Sequence, residues 1–301
     1  METQVCIFRP YLDYMPTISK IRKDGVIQKF HLSPLRPQIK ELYSQGLSSR
    51  KVADKLGISH VRVLAILKNE NVDRRSVTKT IPNKEFEALT PERAYIFGVM
   101  CGDGCVFSGI ARKKNWKYSL YVVHLSVKDR DFIDEFVRCI KSVYGFSPSI
   151  YYVKRSQKNP KWSNIWVAKI TRKEVYEDLS HYKFGTKNWR VPTEVIRSHD
   201  EKVIGAFLRG FYDSEGSASK GTRGFSISIC STNKEGLNEI KELIEILKIK
   251  SSKIGINDRP SHKLFYFTIS NKAGMNIFLN KINFSIKRKY DKVRKHLKWT
   301  E

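Results

Sequence analysis

AYIFGVMCGDG, from Ala94 to Gly104, decides the reading of this chain together with its echo GAFLRGFYDSEG, from Gly205 to Gly216. Each is an apolar helical run carrying small residues four apart: Gly98 and Gly102 in the first, Ala206 and Gly210 in the second. Residues at i and i+4 share a helix face, so two such faces can bring their backbones closer than larger side chains allow. Both runs end in an acid and a glycine, Asp103-Gly104 and Glu215-Gly216. The glycine is expected to stop the helix by entering the left-handed region. The acid is out of place, because a carboxylate in a last helical turn faces the negative end of the dipole and costs about 0.3–1 kcal/mol. The same misplacement in two matching helices points to a compensating cation.

The chain has 301 residues, enough for two or three domains. Its hydrophobic content of 41% is that of a folded protein, and no apolar run approaches the ~20 residues of a membrane span. The start, METQVCIFRPYLDYMP, lacks the basic segment, apolar run and cleavage site of a signal peptide. The expected location is the cytoplasm, on the nucleoid, or an organelle. Lys and Arg number 56 against 30 Asp and Glu, a net charge of +26. Such an excess calls for a polyanion, and without a basic amphipathic anchor that means nucleic acid rather than a membrane. The five cysteines are irregularly spaced; Cys101 and Cys105 flank Asp103, but no second pair or neighbouring histidine completes a zinc site. They read as reduced thiols.

IFGVMCGDG (96–104) and LRGFYDSEG (208–216) resemble the two copies of the nine-residue motif of the LAGLIDADG homing endonucleases. In the first copy Cys101 and Gly102 stand where the motif has Asp and Ala; the second copy is close to it. The likeness covers about Pro91 to the C-terminus. It implies an α+β fold of two pseudo-symmetric α-β-β-α-β-β-α repeats, at 90–190 and 191–301, that form a DNA-binding saddle.

The first third stands apart. Residues 1–34 mix short apolar pieces with prolines, and fit either a small hairpin turning at Asp24-Gly25 or an extended arm. Residues 35–76 read as a small all-α domain: a helix from about Pro37 to Ser44, a second capped by Ser48 through Leu56, and a third capped by Ser59 to about Lys68. Ala53, Gly57, Val63 and Ile66 fall where a helix-turn-helix needs a small contact residue, a turn glycine and buried aliphatics. The segment resembles the helix-turn-helix of resolvase- and transposase-type domains; a generic three-helix bundle is the bland alternative. The DNA reading puts Ser59, His60, Arg62 and Val63 at the start of the recognition helix, with Arg50 and Lys51 near phosphates. Polar, basic residues 77–89 read as a linker, after which Thr90 and Pro91 open the first motif helix.

Sliding the chain on itself exposes a repeat. Strands at about 105–112 and 118–127, a helix at 130–144, strands at 149–154 and 165–170, and a short helix at 172–179 follow the first motif. After the second come a strand at 225–230, a helix at 233–247, strands at 253–257 and 264–269, and a helix at 272–282. Ile133 and Phe136 then fall on Leu237 and Ile240, and Phe184–Lys187 on Phe284–Lys287. Alternation sets Phe225, Ile227 and Ile229 opposite Ser226, Ser228 and Cys230, and Phe265, Phe267 and Ile269 opposite Tyr266 and Thr268. A polar sheet face can be merely solvated; with this net charge Ser226, Ser228, Tyr266 and Thr268 are expected on DNA base edges.

If the motif helices pack side by side, Asp103 and Glu215 meet near the pseudo-twofold axis as a hard oxygen site for Mg²⁺ or Mn²⁺. The resemblance further implies cleavage of both strands of a long asymmetric target. It also implies catalytic basic or polar groups, matching transition-state charge, at strand ends and before the last helix or tail, which here are Lys128 and Lys234, then Lys187 and Lys287. The repeat offset sets Lys128 opposite Thr232 rather than Lys234, and each lysine taken alone is a phosphate clamp before it is a catalyst. The run 286–298 holds seven Lys or Arg, among them Arg288 and Lys289, against the single acid Asp291, and is expected on backbone phosphates. The leading reading is a monomeric, metal-dependent endonuclease of double-stranded DNA, free-standing or intron-encoded. The alternatives are a non-cleaving DNA-binding regulator on the same scaffold and an intron RNA maturase.

Overall fold

Gly98 and Gly210 are where two helices of this chain touch backbone to backbone. In the computed structural model, a Cβ on Gly98 would run into the Phe207 carbonyl and lie 2.8 Å from the Phe211 nitrogen; one on Gly210 would strike the Tyr95 carbonyl and lie 2.9 Å from the Val99 nitrogen. The helices are α4 (Pro91–Cys101) and α8 (Glu201–Glu215), and each belongs to a repeat built around its own sheet. The structure describes residues 18–21, 27–30, 35–45, 47–72, 81–113, 116–182, 184–185, 187–222, 224–259 and 262–298. The chain divides into two compact units, Met1–Thr78 and Lys79–Glu301.

In the first unit β1 (Ile18–Ile21) pairs antiparallel with β2 (Ile27–Phe30). Three helices follow: α1 (Leu35–Ser44), α2 (Ser49–Leu56) and α3 (His60–Asn69). The Ser48 hydroxyl accepts from the Lys51 N–H at 3.3 Å and the Ser59 hydroxyl from that of Arg62 at 3.4 Å. Gly57, at φ 64°, makes the turn between them in the left-handed region. Ile39, Val52, Ala53, Val63, Ile66 and Leu67 form the core. Asp24-Gly25 and Gly46 lie outside the described residues.

The second unit holds both repeats. After α4 come β3 (Gly104–Lys113), β4 (Trp116–Val127), α5 (Arg130–Tyr144), β5 (Ser149–Val153), β6 (Ile165–Ile170) and α6 (Lys173–Ser180). The turn α7 (Thr193–Ile196) leads into α8. The order then returns as β7 (Gly216–Gly221), β8 (Gly224–Ser231), α9 (Lys234–Ile246), β9 (Gly255–Arg259), β10 (His262–Ile269) and α10 (Lys272–Lys281), closed by α11 (Lys287–Lys298). The four-stranded antiparallel sheets share one strand order, β3-β4-β6-β5 and β7-β8-β10-β9. One continuous apolar core joins them, with α4 and α8 at its centre.

Three features depart from the sequence reading. β7, with the text GSASKG, has no apolar alternation; pairing with β8, Ala218 opposite Ile227, makes it a strand. The basic run 286–298 is largely a helix whose Lys289, Val293 and Leu297, four apart, are buried. The expected linker is in its second half part of the core: Ile81, Phe86 and Leu89 pack on it, and Asn83 donates to the Val143 carbonyl at 2.7 Å. Arg93, on the first turn of α4, ties this segment down through the Phe86 carbonyl at 2.5 Å and a forked pair with Asp178 at 2.7 and 3.0 Å. Tyr144 donates to the same carboxylate at 2.6 Å, so this buried pair is satisfied on several sides.

Candidate active site and nucleic-acid interface

α8 ends at Glu215, and α4 ends two residues before Asp103, which lies in the turn to β3. Neither following glycine takes the left-handed conformation expected of it; Gly216 is extended at φ −78°, ψ 148°. Space is the reason for glycine here. A Cβ on Gly104 would lie 2.6 Å from the Met100 Cα and one on Gly216 2.7 Å from the Tyr212 ring, because each strand folds straight back over the last helical turn. Gly102 brings the two helix ends together: a Cβ there would lie 2.8 Å from the Ser214 Oγ and 3.4 Å from the Glu215 Cγ. Gly205, by contrast, meets the Lys281 carbonyl, while Ala206 is only half-buried.

Burial pushes the half-buried Glu215 carboxyl up to about 7, the charge of Asp103 adds to this, and Lys289 draws it down. The more exposed Asp103 is raised by the surrounding protein and drawn down by the same lysine. Two acids from two repeats thus share one electrostatic environment. Among the described residues no group of three or more His, Cys, Asp and Glu is placed to hold a metal ion. A divalent ion would take two protein carboxylates and fill its shell with carbonyls, water and phosphate oxygens. That hard-oxygen set suits Mg²⁺, which keeps several waters, and a cation would offset both the burial and the Asp103 charge that raise Glu215.

Lys289, expected on DNA, is 6% exposed. Its ammonium donates to the carbonyls of Tyr212 at 3.1 Å and Asp213 at 2.6 Å in the last turn of α8, the first of which also accepts the Gly216 N–H. It therefore acts as a fixed cation at the end of the second motif helix, and burial lowers its pKa to about 8 against the pull of Asp213. The length of the side chain and the apolar stripe of α11 put it there, and the i, i+4 spacing of 289, 293 and 297 was the signal available in the sequence.

Asp213, 1% exposed, accepts from the Tyr95 hydroxyl at 2.9 Å and the Ser285 N–H at 3.0 Å, just ahead of α11. Burial raises it to about 6, against the bonds from Ser285 and Tyr95. Cys101 takes the matching place in the first motif, its thiol directed to the Arg190 carbonyl. The acid missing from the first motif is thus one that the second spends on holding its C-terminal segment.

The remaining lysines are exposed. Lys128 follows β4, Lys187 precedes Trp189, Lys234 begins α9 with its ammonium 5.9 Å from the Phe265 ring centre, and Lys287 begins α11 with its N–H on Asp131 at 2.6 Å. Lys289 is the cation whose charge acts on both acids. Arg288 is engaged by Asp129 at 2.6 and 2.7 Å. On β8 and β10, Ile227, Ile229, Phe267 and Ile269 are buried, while Ser226, Ser228, Tyr266 and Thr268 occupy the open face. Ser226, Tyr266 and Thr268 line a concavity of 680 Å³. In the first unit Arg50, Lys51 and Ser59 are exposed and Arg62 half-buried. Val63 is fully buried, as expected of that aliphatic position, and the His60 ring is bonded to the Ser49 hydroxyl at 3.0 Å.

Residues 202–283 match the LAGLIDADG-like domain. The chain is 33% identical over 195 residues to the uncharacterized protein MJ0314 of Methanocaldococcus jannaschii, spanning 62% of this chain and 67% of that one. It is 28% identical over 263 residues to the uncharacterized protein MJ0398 of the same organism, spanning 85% and 88%. Among solved structures it is similar to I-DmoI in complex with DNA and Mn, at 18% identity and a TM-score of 0.46 over 65% of this chain and 98% of that one. It is also similar to the homing endonuclease I-WcaI bound to its DNA recognition sequence, at 19% identity and a TM-score of 0.44 over 74% and 97%. Two repeats of one strand order, joined through the glycines of their motif helices, and a second half that matches the domain carry the conclusion: the chain belongs to the LAGLIDADG family.

Proposed function

We propose that this protein is a site-specific endonuclease that, as a single chain, hydrolyses one phosphodiester in each strand of double-stranded DNA. The carrying observation is the pair Asp103 and Glu215, brought from two repeats to adjoining helix ends where burial first, and then the charge of Asp103, raises the Glu215 carboxyl. These carboxylates would hold magnesium or manganese, and a bound ion supplies charge stabilisation at phosphate and an acidified water. The chain's own part is to bring one acid per repeat to a common place, to fix α8 through Lys289, and to lay its open sheet faces along the duplex. Lys128, Lys187, Lys234 and Lys287 are phosphate clamps on this reading. Exposed Lys and Arg supply the salt-dependent share of the affinity.

The test is selection of cleaved sites from a randomised duplex library with Mg²⁺, run on the wild type and on Asp103→Asn and Glu215→Gln. The wild type is expected to yield cut sites. Each variant is expected to bind the selected site within a few-fold and to lose double-strand cutting. Tight binding of a selected site with no cutting by the wild type would favour the regulator. Wild-type cutting by a double variant would remove both acids from the mechanism.

A further inference from the structure

The open faces of the two sheets differ in chemistry. On β3, Ser108 takes the Tyr176 hydroxyl of α6 at 3.0 Å, so Phe107 beside it points to the opposite, open side. Register places Val122 opposite Phe107, Tyr118 opposite Ala111, and Val167 opposite both Ser126 and Tyr151, all on that side. Phe107, Tyr118 and Tyr151 are 41%, 49% and 45% exposed. On the second sheet the same side carries Ser217 opposite Ser228, Ser219 opposite Ser226, and Thr268 opposite Ser228, with Tyr266 beside them. The first face is mainly aromatic and aliphatic, with His124 and Lys169 set among these side chains, and the second is mainly small hydroxyls around Tyr266.

We infer that the two repeats read their half-sites by different means: the first selects thymine through its 5-methyl group, and the second hydrogen-bonds base edges with little dependence on methyl groups. This rests on the duplex-DNA reading above, which the net charge of +26 supports as the occupant of these faces. In the major groove thymine alone among the four bases offers a methyl group, and apolar side chains recognise it by contact. A serine hydroxyl donates and accepts by rotating, so it satisfies several base edges and discriminates weakly. The selected target is therefore expected to be thymine-rich in the half that Phe107 and Tyr151 face, and mixed in the other.

Deoxyuridine, which is thymidine without the methyl group, separates these modes. Binding of the full chain to its selected duplex is measured in chelator, with deoxyuridine replacing thymidine in one half at a time. In the half read by the first repeat, affinity should fall about fourfold per replaced thymine, the weight of roughly one buried methyl group. In the other half it should change little. Phe107→Ser, at an exposed site, should abolish the thymine–uracil difference in the first half and so identify that half; Tyr151→Ser should reduce it, and Ser226→Ala should leave it intact. Tight, selective binding with uracil tolerated equally in both halves would overturn the inference while leaving the nuclease reading standing. Failure to select any duplex would overturn both.

Discussion

The Lys289 ammonium lies 2.6 Å from the carbonyl oxygen of Asp213, two residues before the motif acid Glu215. A buried lysine commonly pairs with a carboxylate; this one is seated on a helix end, where the dipole and two last-turn carbonyls favour it. Asp213 in turn holds the backbone entering α11 through Ser285, so helix and lysine secure each other. Lys289→Met should destabilise the protein by about 1–3 kcal/mol, the usual consequence of stranding buried acceptors, read as a lower Tm. The salt dependence of DNA binding should stay unchanged, because a buried ammonium meets no phosphate. Lys292→Met, on the exposed side of the same helix, should do the reverse, with unchanged Tm and a salt slope reduced by about 1. A reduced slope for Lys289→Met would put that ammonium on DNA after all.

Glu215 also makes stability depend on pH in a definite sense. Its folded pKa, about 7, is above the ordinary value of 4.5, so between those values the native state holds more protons than the unfolded one. Stability from this group is therefore full below about 4.5 and lost as pH rises through about 7. In chelator the Tm of the wild type should fall over that interval relative to that of Glu215→Gln. Added Mg²⁺ should offset the fall by binding the ionised pair. Parallel curves for the two proteins in chelator would mean that Glu215 titrates normally.

Close approach of α4 and α8 gives the third prediction. Gly98→Leu or Gly210→Leu should lower stability by several kcal/mol, since each new side chain would enter the opposing backbone rather than a yielding side chain. Gly109→Ala, at an exposed strand position with open space around it, is the control and should change Tm little. An unchanged melting temperature for both leucine variants would contradict the packing of these helices.

Much of this fold was legible because periodicity and burial agree. Ile133, Phe136 and Ile140 mark α5 by spacing alone, and Phe225, Ile227 and Ile229 mark β8. β7 escaped because a strand of Gly, Ser and Ala is made by its partner rather than by its own pattern. In the candidate site the two acids could be found from the repeated acid-glycine ending. Lys289 was marked only by its i, i+4 spacing to Val293 and Leu297, and which lysine turns inward depends on where α11 docks. Gly104 and Gly216 carried a correct signal with the wrong cause: crowding against Met100 and Tyr212, not a left-handed turn, requires them.

The first unit poses a separate question, because Met1–Thr78 forms its own compact body with its own core. If it is a DNA-binding helix-turn-helix, its exposed Arg50 and Lys51 bring charge to a duplex and Arg62 brings a base contact, while the chemistry stays with Asp103 and Glu215. Removal should stop at Thr78, since Ile81, Phe86 and Leu89 belong to the core of the second unit. The 79–301 protein should keep metal-dependent cutting of the central site but bind more weakly, with a smaller salt slope because fewer counterions are released. In the full chain, Arg62→Ala should alter base preference at the outer edge of the site, whereas Lys51→Ala should weaken all sequences about equally. Footprints of the full and shortened proteins on one selected target compare these directly. A shorter footprint for 79–301 assigns the first unit to the flank of the target. Identical footprints and affinities would take it off this DNA altogether and leave its three helices for another partner.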